Sequence, residues 1–293
     1  MDDRINLIYW NENANFGDQL SPYIISKLSG KTVNHKIAAI SEKNLIKFLL
    51  RYPHKLRTLK EYVLPFQKSI LAVGSILSYG NSLSKIWGSG FMNETDLFYG
   101  GSVCAVRGNL SAEKIMKMGG HSCGVCGDPA LLLPILYTPN VVNEYKIGII
   151  PHWKEYDYFY KSYGSRYHII DLRTTDVEFV IREILSCEKI LSTSLHGIIV
   201  SHAYGIPALW IKHSSINTDG FKFMDYFSSV NIEPYYGYSE FNAILSNRGN
   251  LNVFFEKNKE KSLPCCDVKS LQKALLLAAP FHVDPKWLKD CQL

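Results

Sequence analysis

The sequence has no apolar run that approaches the roughly 20 residues a helix needs to span a bilayer. The apolar stretch behind its amino end is too short for the core of a signal peptide. Its seven cysteines are odd in number and lack the spacing of a disulfide framework. These absences argue against a membrane-spanning protein and against a small disulfide-stabilised secreted domain. We therefore expect a protein of the reducing cytoplasm.

Few residues of this chain have the spacing that is typical of metal ligands. Cys123 and Cys126 form a lone CxxC pair. The neighbouring cysteines Cys265 and Cys266 have the wrong spacing to supply the second pair of a structural zinc site. We therefore expect no bound metal.

Charge of one sign is concentrated in a single segment. The net charge of +5 is otherwise spread along the chain, which favours anionic ligands and gives no reason to expect a nucleic-acid partner. In residues 43–60, lysines and arginines alternate with leucine, isoleucine and phenylalanine. That pattern fits an amphipathic helix in peripheral contact with the inner face of a membrane, and it also fits an ordinary helix with a solvated face.

The composition that remains is that of a globular protein with two ordinary domains. Of the 293 residues, 46% are apolar and 20% are charged, and the length is comfortable for two domains. Turn-forming residues at 138–140 separate two strand-rich blocks. We predict an α/β protein in which residues 1–140 and residues 141–293 form two Rossmann-like domains that face each other across a cleft. The second domain would end in a C-terminal helix.

Apolar runs alternate with helix-like segments in both blocks, which is typical of parallel α/β architecture. A Ser111 cap and a Thr175–Glu178 capping box are the predicted starts of two helices. The predicted strands lie at residues 6–10, 69–76, 85–91, 103–106, 146–150, 167–172, 189–192 and 208–211. The first predicted helix follows the loop at 11–17 and ends at residue 27. The others cover residues 111–118, the segment from the capping box to 187, and residues 195–204, 221–230 and 268–279.

Ligands of parallel sheets bind at the carboxyl ends of strands, so polar residues at those ends matter most. Asn15, Gly17 and Asp18 follow the first strand and open the first helix. Gly17 permits a tight turn, and the free amides beyond it favour an anion. Asp18 either caps this helix or faces the cleft as a general base, and its spacing does not decide between the two.

Ser192, Ser194 and His196 occupy the same kind of position in the second block. Hydroxyl groups beside a helix amino end favour a bound phosphate or carboxylate. His196 can exchange a proton near neutral pH. A lone histidine is more often structural, but this setting favours a functional one.

Arg107, His152 and Lys212 each follow a predicted strand directly. A guanidinium matches a carboxylate or a phosphate in bidentate fashion, although a surface salt bridge would also account for Arg107. Each residue is a weak signal alone. Together they predict a cationic cleft for a small ligand with two or three negative charges.

The order of these motifs between residues 6 and 230 resembles the polysaccharide pyruvyl transferase family. Seven motifs match in order, and a further stretch also fits. They are Asn15–Asp18, Ile86–Gly90, Val106–Gly108, Gly127–Leu133, Ile150–His152, Ser194–Gly197 and Ala203–Pro207, followed by Lys222–Phe227. The opening and the modest length are most similar to the ketal-forming enzymes of bacterial exopolysaccharide and capsule assembly.

The resemblance implies a GT-B-like fold, phosphoenolpyruvate as donor and a sugar acceptor, for which we expect a lipid-linked oligosaccharide. It implies that Arg107 binds the donor phosphate or carboxylate and that His196 is the catalytic acid. Some members carry an arginine at the position of Ser194. Lys212, Lys222 and His152 are the candidates to replace that charge.

In the reaction implied by the family, an acid protonates the methylene carbon of the donor and a sugar hydroxyl attacks the resulting oxocarbenium-like centre. We expect Asp18 to take the proton of that hydroxyl. Asn15 and Gly17 would lie on the acceptor side, in the first domain. The donor side, in the second domain, would use Ser192, Ser194, His152 and Lys212, with Arg107 reaching it from the first domain. No step requires a redox cofactor or a metal.

Two other functions fit parts of the pattern. A glycosyltransferase that uses a nucleotide sugar would share the predicted architecture. A non-catalytic carbohydrate-binding protein of a polysaccharide assembly pathway would share the cleft, but it would not need proton-transfer and cationic residues gathered at strand ends.

Overall fold

The first half of the chain forms a parallel sheet. The computed structural model describes residues 4–40, 59–121, 124–213, 218–246 and 248–289. The strands of the first half are β1 (Ile5–Ile8), β2 (Val33–Lys36), β3 (Ser69–Leu71), β4 (Ser84–Trp87) and β5 (Ser102–Ala105). They pair in the order β2-β1-β3-β4-β5, and every pair is parallel. Helix α1 (Phe16–Ser29) connects β1 to β2, and α2 (Asn109–Lys117) follows β5; the short helix α3 (Leu133–Leu136) comes before the second half.

The second half forms another parallel sheet. Its strands are β6 (Gly148–Ile150), β7 (His168–Ile169), β8 (Ile190–Ser192) and β9 (Ala208–Trp210), paired in the order β7-β6-β8-β9. The helices that connect them are α4 (Tyr156–Tyr163), α5 (Val177–Leu185) and α6 (Leu195–Ala203). After β9 follow α7 (Phe221–Ser229), α8 (Phe241–Ser246), α9 (Arg248–Lys257), α10 (Lys259–Ser262) and α11 (Val268–Leu277).

The two halves are joined by direct contacts. One hydrophobic cluster contains Trp87 of the first sheet together with Ile149 and Leu209 of the second. At the start of α1 the amide of Phe16 donates a hydrogen bond to the carbonyl of Leu172 at 2.9 Å. The indole N–H of Trp87 donates to Leu275 of α11 at 2.9 Å, so the C-terminal helix packs on the first half. The α/β class with parallel sheets is therefore confirmed. The GT-B-like cleft and the division into 1–140 and 141–293 stay predictions.

Two predicted helix starts are wrong. Gly108 is the N-cap of α2, so Ser111 lies inside the first turn, where its hydroxyl donates to Asp225. The predicted Thr175–Glu178 box is replaced by Asp176, whose carboxylate accepts the amide of the third helical residue. Ser111 uses its hydroxyl for a contact with another helix, whereas Asp176 caps its own helix locally.

Several elements were not predicted, namely β2, α3, α4 and α8 to α10. Strand β2 carries Asn34 and His35 and is only partly buried at the edge of the sheet, so it has little of the apolar pattern that marks a strand. The strand predicted at 69–76 ends at Leu71. Strand β2 is defined by its pairing with β1, and β3 by its pairing with β1 and β4. Neither pairing can be read from the local sequence.

Two expectations fall largely on residues outside the described part of the chain. The basic segment at 43–60 is described only at its last two residues, and Cys123 of the CxxC pair is not described. Across the described ranges, no helix has both the length and the apolar character required to cross a membrane.

Candidate active site

The amino end of α1 places Asp18 in a partly buried position. The side chain of Asn15 caps the helix by accepting the amide of Gly17 at 3.0 Å. Asp18 is therefore not the cap, and its carboxyl group is free to face the site. Burial raises the pKa of Asp18 to about 7, while the charge of Lys222 and a hydrogen bond from Asn15 act in the opposite direction. Near neutral pH this carboxyl group exchanges its proton readily.

The amino end of α6 brings His196 against the amino end of α1. A Cβ atom added to Gly17 would lie 2.4 Å from the Nδ1 atom of His196, so only glycine lets the imidazole ring approach this closely. The Nε2 atom is buried and has no hydrogen-bond partner among the described residues. Burial, with the charges of Lys222 and Arg107, lowers the pKa of His196 to about 3. The ring is therefore neutral at pH 7.

The loop that leads into α6 uses one hydroxyl internally and leaves the other free. Ser192 donates from Oγ to the carbonyl of Ile150 at 2.8 Å and accepts the amide of Ser194 at 2.9 Å. Ser194 is the N-cap residue, but its side chain makes no capping hydrogen bond. Of the two predicted donor-binding serines, only Ser194 retains a hydroxyl without a partner in the described structure.

Arg107 lies inside the protein. Its side chain is fully buried and its Nε atom forms an ion pair with Asp225 of α7 at 2.9 Å. The two Nη atoms donate to the hydroxyl of Ser75 at 2.6 Å and to the carbonyl of Phe91 at 2.5 Å. Added Cβ atoms at Gly90 or Gly108 would collide with this pair. The structure therefore gives the Arg107 guanidinium three protein partners, whereas the sequence predicted contact with a ligand.

His152 joins the group but Lys212 does not. The amide of His152 donates to the hydroxyl of Thr193 at 2.7 Å, which holds the two strand-end loops together. Burial and the charges of Lys222 and Lys154 lower the pKa of His152 to about 3. Lys212 follows β9 with an exposed side chain, and it is not among the charges that act on Asp18 or the two histidines.

Lys222 is the charge that these groups share, and the sequence singled it out only as one of three replacements. It lies in the first turn of α7 and is 7% exposed. Of the charged groups that shift the pKa values of Asp18, His152 and His196, Lys222 has the largest effect. Burial lowers the pKa of Lys222 to about 8; the nearby charge of Arg107 also lowers it, whereas Asp18 and Glu155 raise it.

Glu155 was missed altogether. Its carboxylate is 1% exposed, accepts a hydrogen bond from the Thr193 hydroxyl and lies 3.0 Å from the Nδ1 atom of His213. In the sequence it stands beside Lys154 and looks like an ordinary solvated residue. Only the packing of α4 against the β8–α6 loop reveals it.

A cavity of about 410 Å³ lies away from these groups. It is lined by residues around Ser102, at the amino end of β5, and by residues 118–121 after α2. Ligands of parallel sheets bind at the opposite, carboxyl ends. The cavity also contains none of the cationic or proton-transfer groups described above. We therefore place the candidate active site at the junction of α1, α6 and α7.

Comparison with known proteins places most of this site within one family. A match to the family described as "Polysaccharide pyruvyl transferase" covers residues 15–215. The chain is also similar to "Uncharacterized protein L143" of Acanthamoeba polyphaga mimivirus. The two are 28% identical over 263 residues, which cover 85% of this chain and 82% of the relative. No solved structure matches the chain significantly. The matched interval contains Asp18 and His196 and ends before Lys222.

Proposed function

Because the chain belongs to the polysaccharide pyruvyl transferase family, whose reaction is pyruvyl transfer onto a polysaccharide, we propose that it uses phosphoenolpyruvate as the donor and forms a pyruvate ketal on a sugar. The proposal extends to a bacterial surface polysaccharide, or its lipid-linked precursor, as the acceptor. We further propose that the reaction takes place in the cytoplasm, in a cleft between two domains.

The observation that carries the proposal is the contact between the Gly17 backbone and the His196 ring. It brings Asp18, the next residue of α1, beside a second proton-transfer group from the other half of the chain. Lys222 supplies positive charge to both. An acid, a base and a cation at one point are what transfer from a phosphorylated enol requires.

His196 is proposed to protonate the methylene carbon of the donor. Its pKa of about 3 means that the ring must first be protonated. The negative charge of a bound phosphate offsets the charges of Lys222 and Arg107 and raises this pKa. Binding of the donor thus creates the acid where it is used.

Asp18 is proposed to take the proton of the attacking sugar hydroxyl. A base whose pKa lies near 7 is well matched to this step at neutral pH. The oxygen of the first hydroxyl then bonds to C2 of the pyruvyl group. Loss of phosphate breaks the C2–O bond, and a second hydroxyl closes the ketal ring. The protons of the two hydroxyls balance the new methyl hydrogen and the proton on the released phosphate.

The test is incubation with phosphoenolpyruvate and a panel of free and lipid-linked glycans, following phosphate release and product mass. We expect phosphate release that depends on the acceptor, and an NMR methyl signal that identifies a ketal in place of an enol ether. His196→Ala should lower turnover by roughly 10²–10⁴-fold. The exposed His282→Ala is the matched control and should leave turnover unchanged.

The opposite result would be turnover of a nucleotide sugar with no release of phosphate from phosphoenolpyruvate. That outcome would assign the site to glycosyl transfer. Near wild-type turnover in His196→Ala would leave the reaction standing and remove His196 from the role of acid.

A further inference from the structure

Lys222 is a buried lysine with no ion pair among the described residues. Its side chain is more than nine-tenths buried, at the start of α7. Across the described ranges its ammonium group also makes no hydrogen bond, and its Nζ atom lies 5.4 Å from the centroid of the Phe223 ring. A buried charge is costly unless it is paired, so a cation kept in this state indicates a ligand of opposite charge.

The carboxylates near Lys222 are committed elsewhere. Asp225, one helical turn further along α7, pairs with Arg107 and accepts two hydrogen bonds from Ser111. Glu155 is engaged by Thr193 and His213. The remaining charge facing Lys222 belongs to Asp18 of α1, and the two histidines that face it, after β6 and in α6, are neutral at pH 7. Among the described residues, none of these carboxylates forms an ion pair with Lys222.

The amino end of α6 offers unused donors at the same place. Within the described residues the amides of Leu195, His196 and Gly197 donate to no acceptor, and the Ser194 hydroxyl is also unbonded. Helix α6 has nine residues, so its dipole adds positive potential at this end. Helices α6 and α7 are in contact, since the Nδ1 atom of His202 lies 3.1 Å from the hydroxyl of Tyr226, one helical turn beyond Lys222. The charge of Lys222 also acts on His196, the second residue of α6.

We infer that Lys222 and the amino end of α6 form one pocket that binds the phosphate group of the donor. The inference rests on the proposed function. A phosphate offers three terminal oxygens to the ammonium group, the amides and the Ser194 hydroxyl, and it carries more charge than a carboxylate. The free cation of this site thus comes from α7, a helix that the matched family interval does not include.

The experiment measures binding without turnover, by calorimetry with inorganic phosphate, phosphoenolpyruvate and pyruvate. Lys222→Met should weaken binding of the two phosphorylated ligands by about 10- to 100-fold and leave pyruvate binding unchanged. Lys222→Arg should retain most of the phosphate affinity. The matched control is Lys189→Met, at the amino end of β8 and so at the opposite edge of the sheet, which should bind all three ligands as the wild type does.

A second measurement keeps the test informative if affinity is hard to interpret. In the absence of ligand, Lys222→Met should melt at a higher temperature than the wild type, because methionine fills similar space without a buried charge. If Lys222 only stabilised the fold, Lys222→Met would melt at a lower temperature than the wild type.

Unchanged phosphate affinity in Lys222→Met overturns the inference, as does a loss confined to pyruvate, which would place the carboxylate there. Failure of the two proposals is distinguishable. Phosphate binding that depends on Lys222, in a protein that never releases phosphate from phosphoenolpyruvate, supports the pocket and contradicts pyruvyl transfer. Turnover that is indifferent to Lys222 contradicts the pocket alone.

Discussion

Asp18 and His196 show how burial sets the charge of single residues. Each is shifted toward its neutral form, the carboxyl to a pKa of about 7 and the imidazole to a pKa of about 3. Desolvation is the largest cause in both, and Lys222 opposes it for Asp18 while adding to it for His196. Binding of an anion raises the pKa of His196 and so favours the charged form that serves as the acid.

For Asp18 we predict a pH dependence of activity. His196, with a pKa of about 3, also titrates in the overall profile, so the contribution of Asp18 is taken as the ratio of kcat/KM of the wild type to that of Asp18→Asn. If the ionised form of Asp18 takes the hydroxyl proton, this ratio rises as pH increases through about 7 and reaches roughly 10²-fold or more. The measurement is a pH–rate profile of both proteins. A ratio that falls through the same region would mean that Asp18 donates the proton.

The same residue predicts a stability effect of known sign. The folded-state pKa of Asp18 lies above its unfolded value, so the folded protein binds the proton more tightly and loses stability as pH rises from about 4 to 7. Asp18→Asn should therefore melt above the wild type at pH 8, by on the order of 1 kcal/mol or roughly 2–4 °C. The gap should shrink toward pH 4. A gap that widens toward acid pH would contradict the raised pKa.

Between elements, the decisive contact is the one between the amino ends of α1 and α6. It exists because Gly17, in the first turn of α1, has no side chain in the space of the His196 ring. The Asn15 cap holds the first turn of α1 and leaves the carboxyl group of Asp18 unused. Glu155 adds a link from α4, since Thr193 joins its carboxylate to the backbone of His152.

Gly17→Ala tests this contact. Alanine favours a helix, so the backbone tolerates it, but its methyl group must displace the ring that lies 2.4 Å away. We expect turnover to fall about 10- to 100-fold with little loss of melting temperature. In a His196→Ala background the same methyl group should have no further effect on turnover. Equal losses in both backgrounds would show that Gly17 acts independently of the ring.

At the scale of the whole molecule, a buried ion pair joins the two halves. Arg107 follows β5 of the first sheet and Asp225 lies in α7, after the second sheet, 118 residues away in sequence. Neither side chain is exposed to solvent. Each half therefore supplies the oppositely charged partner of a side chain buried in the other half.

Arg107→Met should destabilise the protein by about 3–5 kcal/mol, because it leaves Asp225 buried and without its cation. Urea unfolding measures the loss, and the double variant with Asp225→Asn should lose less than the sum of the single changes. Lys286→Met, which removes an exposed pair with Asp284, is the control and should cost about 0–1 kcal/mol. A loss of similar size in Arg107→Met and in the control Lys286→Met would mean that the buried pair does not hold the halves together.

Much of the site could be predicted because strand ends and helix starts are local features. Asp18 and His196 lie in the first turns of helices that follow short apolar strands, so their positions could be predicted without any knowledge of distant contacts. Ser111 and Thr175 were assigned as caps from the same kind of pattern, and there the structure chose other residues. Glu155 carried no signal, because nothing in its neighbours distinguishes a buried glutamate from a solvated one.

The sequence by itself determined the α/β class, through alternating apolar and helical segments, and the family, through the order of its motifs. The tertiary structure alone decided which charges are neutralised. It buried Arg107 against Asp225 and left Lys222 without a described counter-ion. The physical reason is that the cost of a charge depends on its burial and on neighbours brought from distant parts of the chain. The sequence shows which charged residues exist. Only packing determines which of them stay unpaired and can bind a ligand.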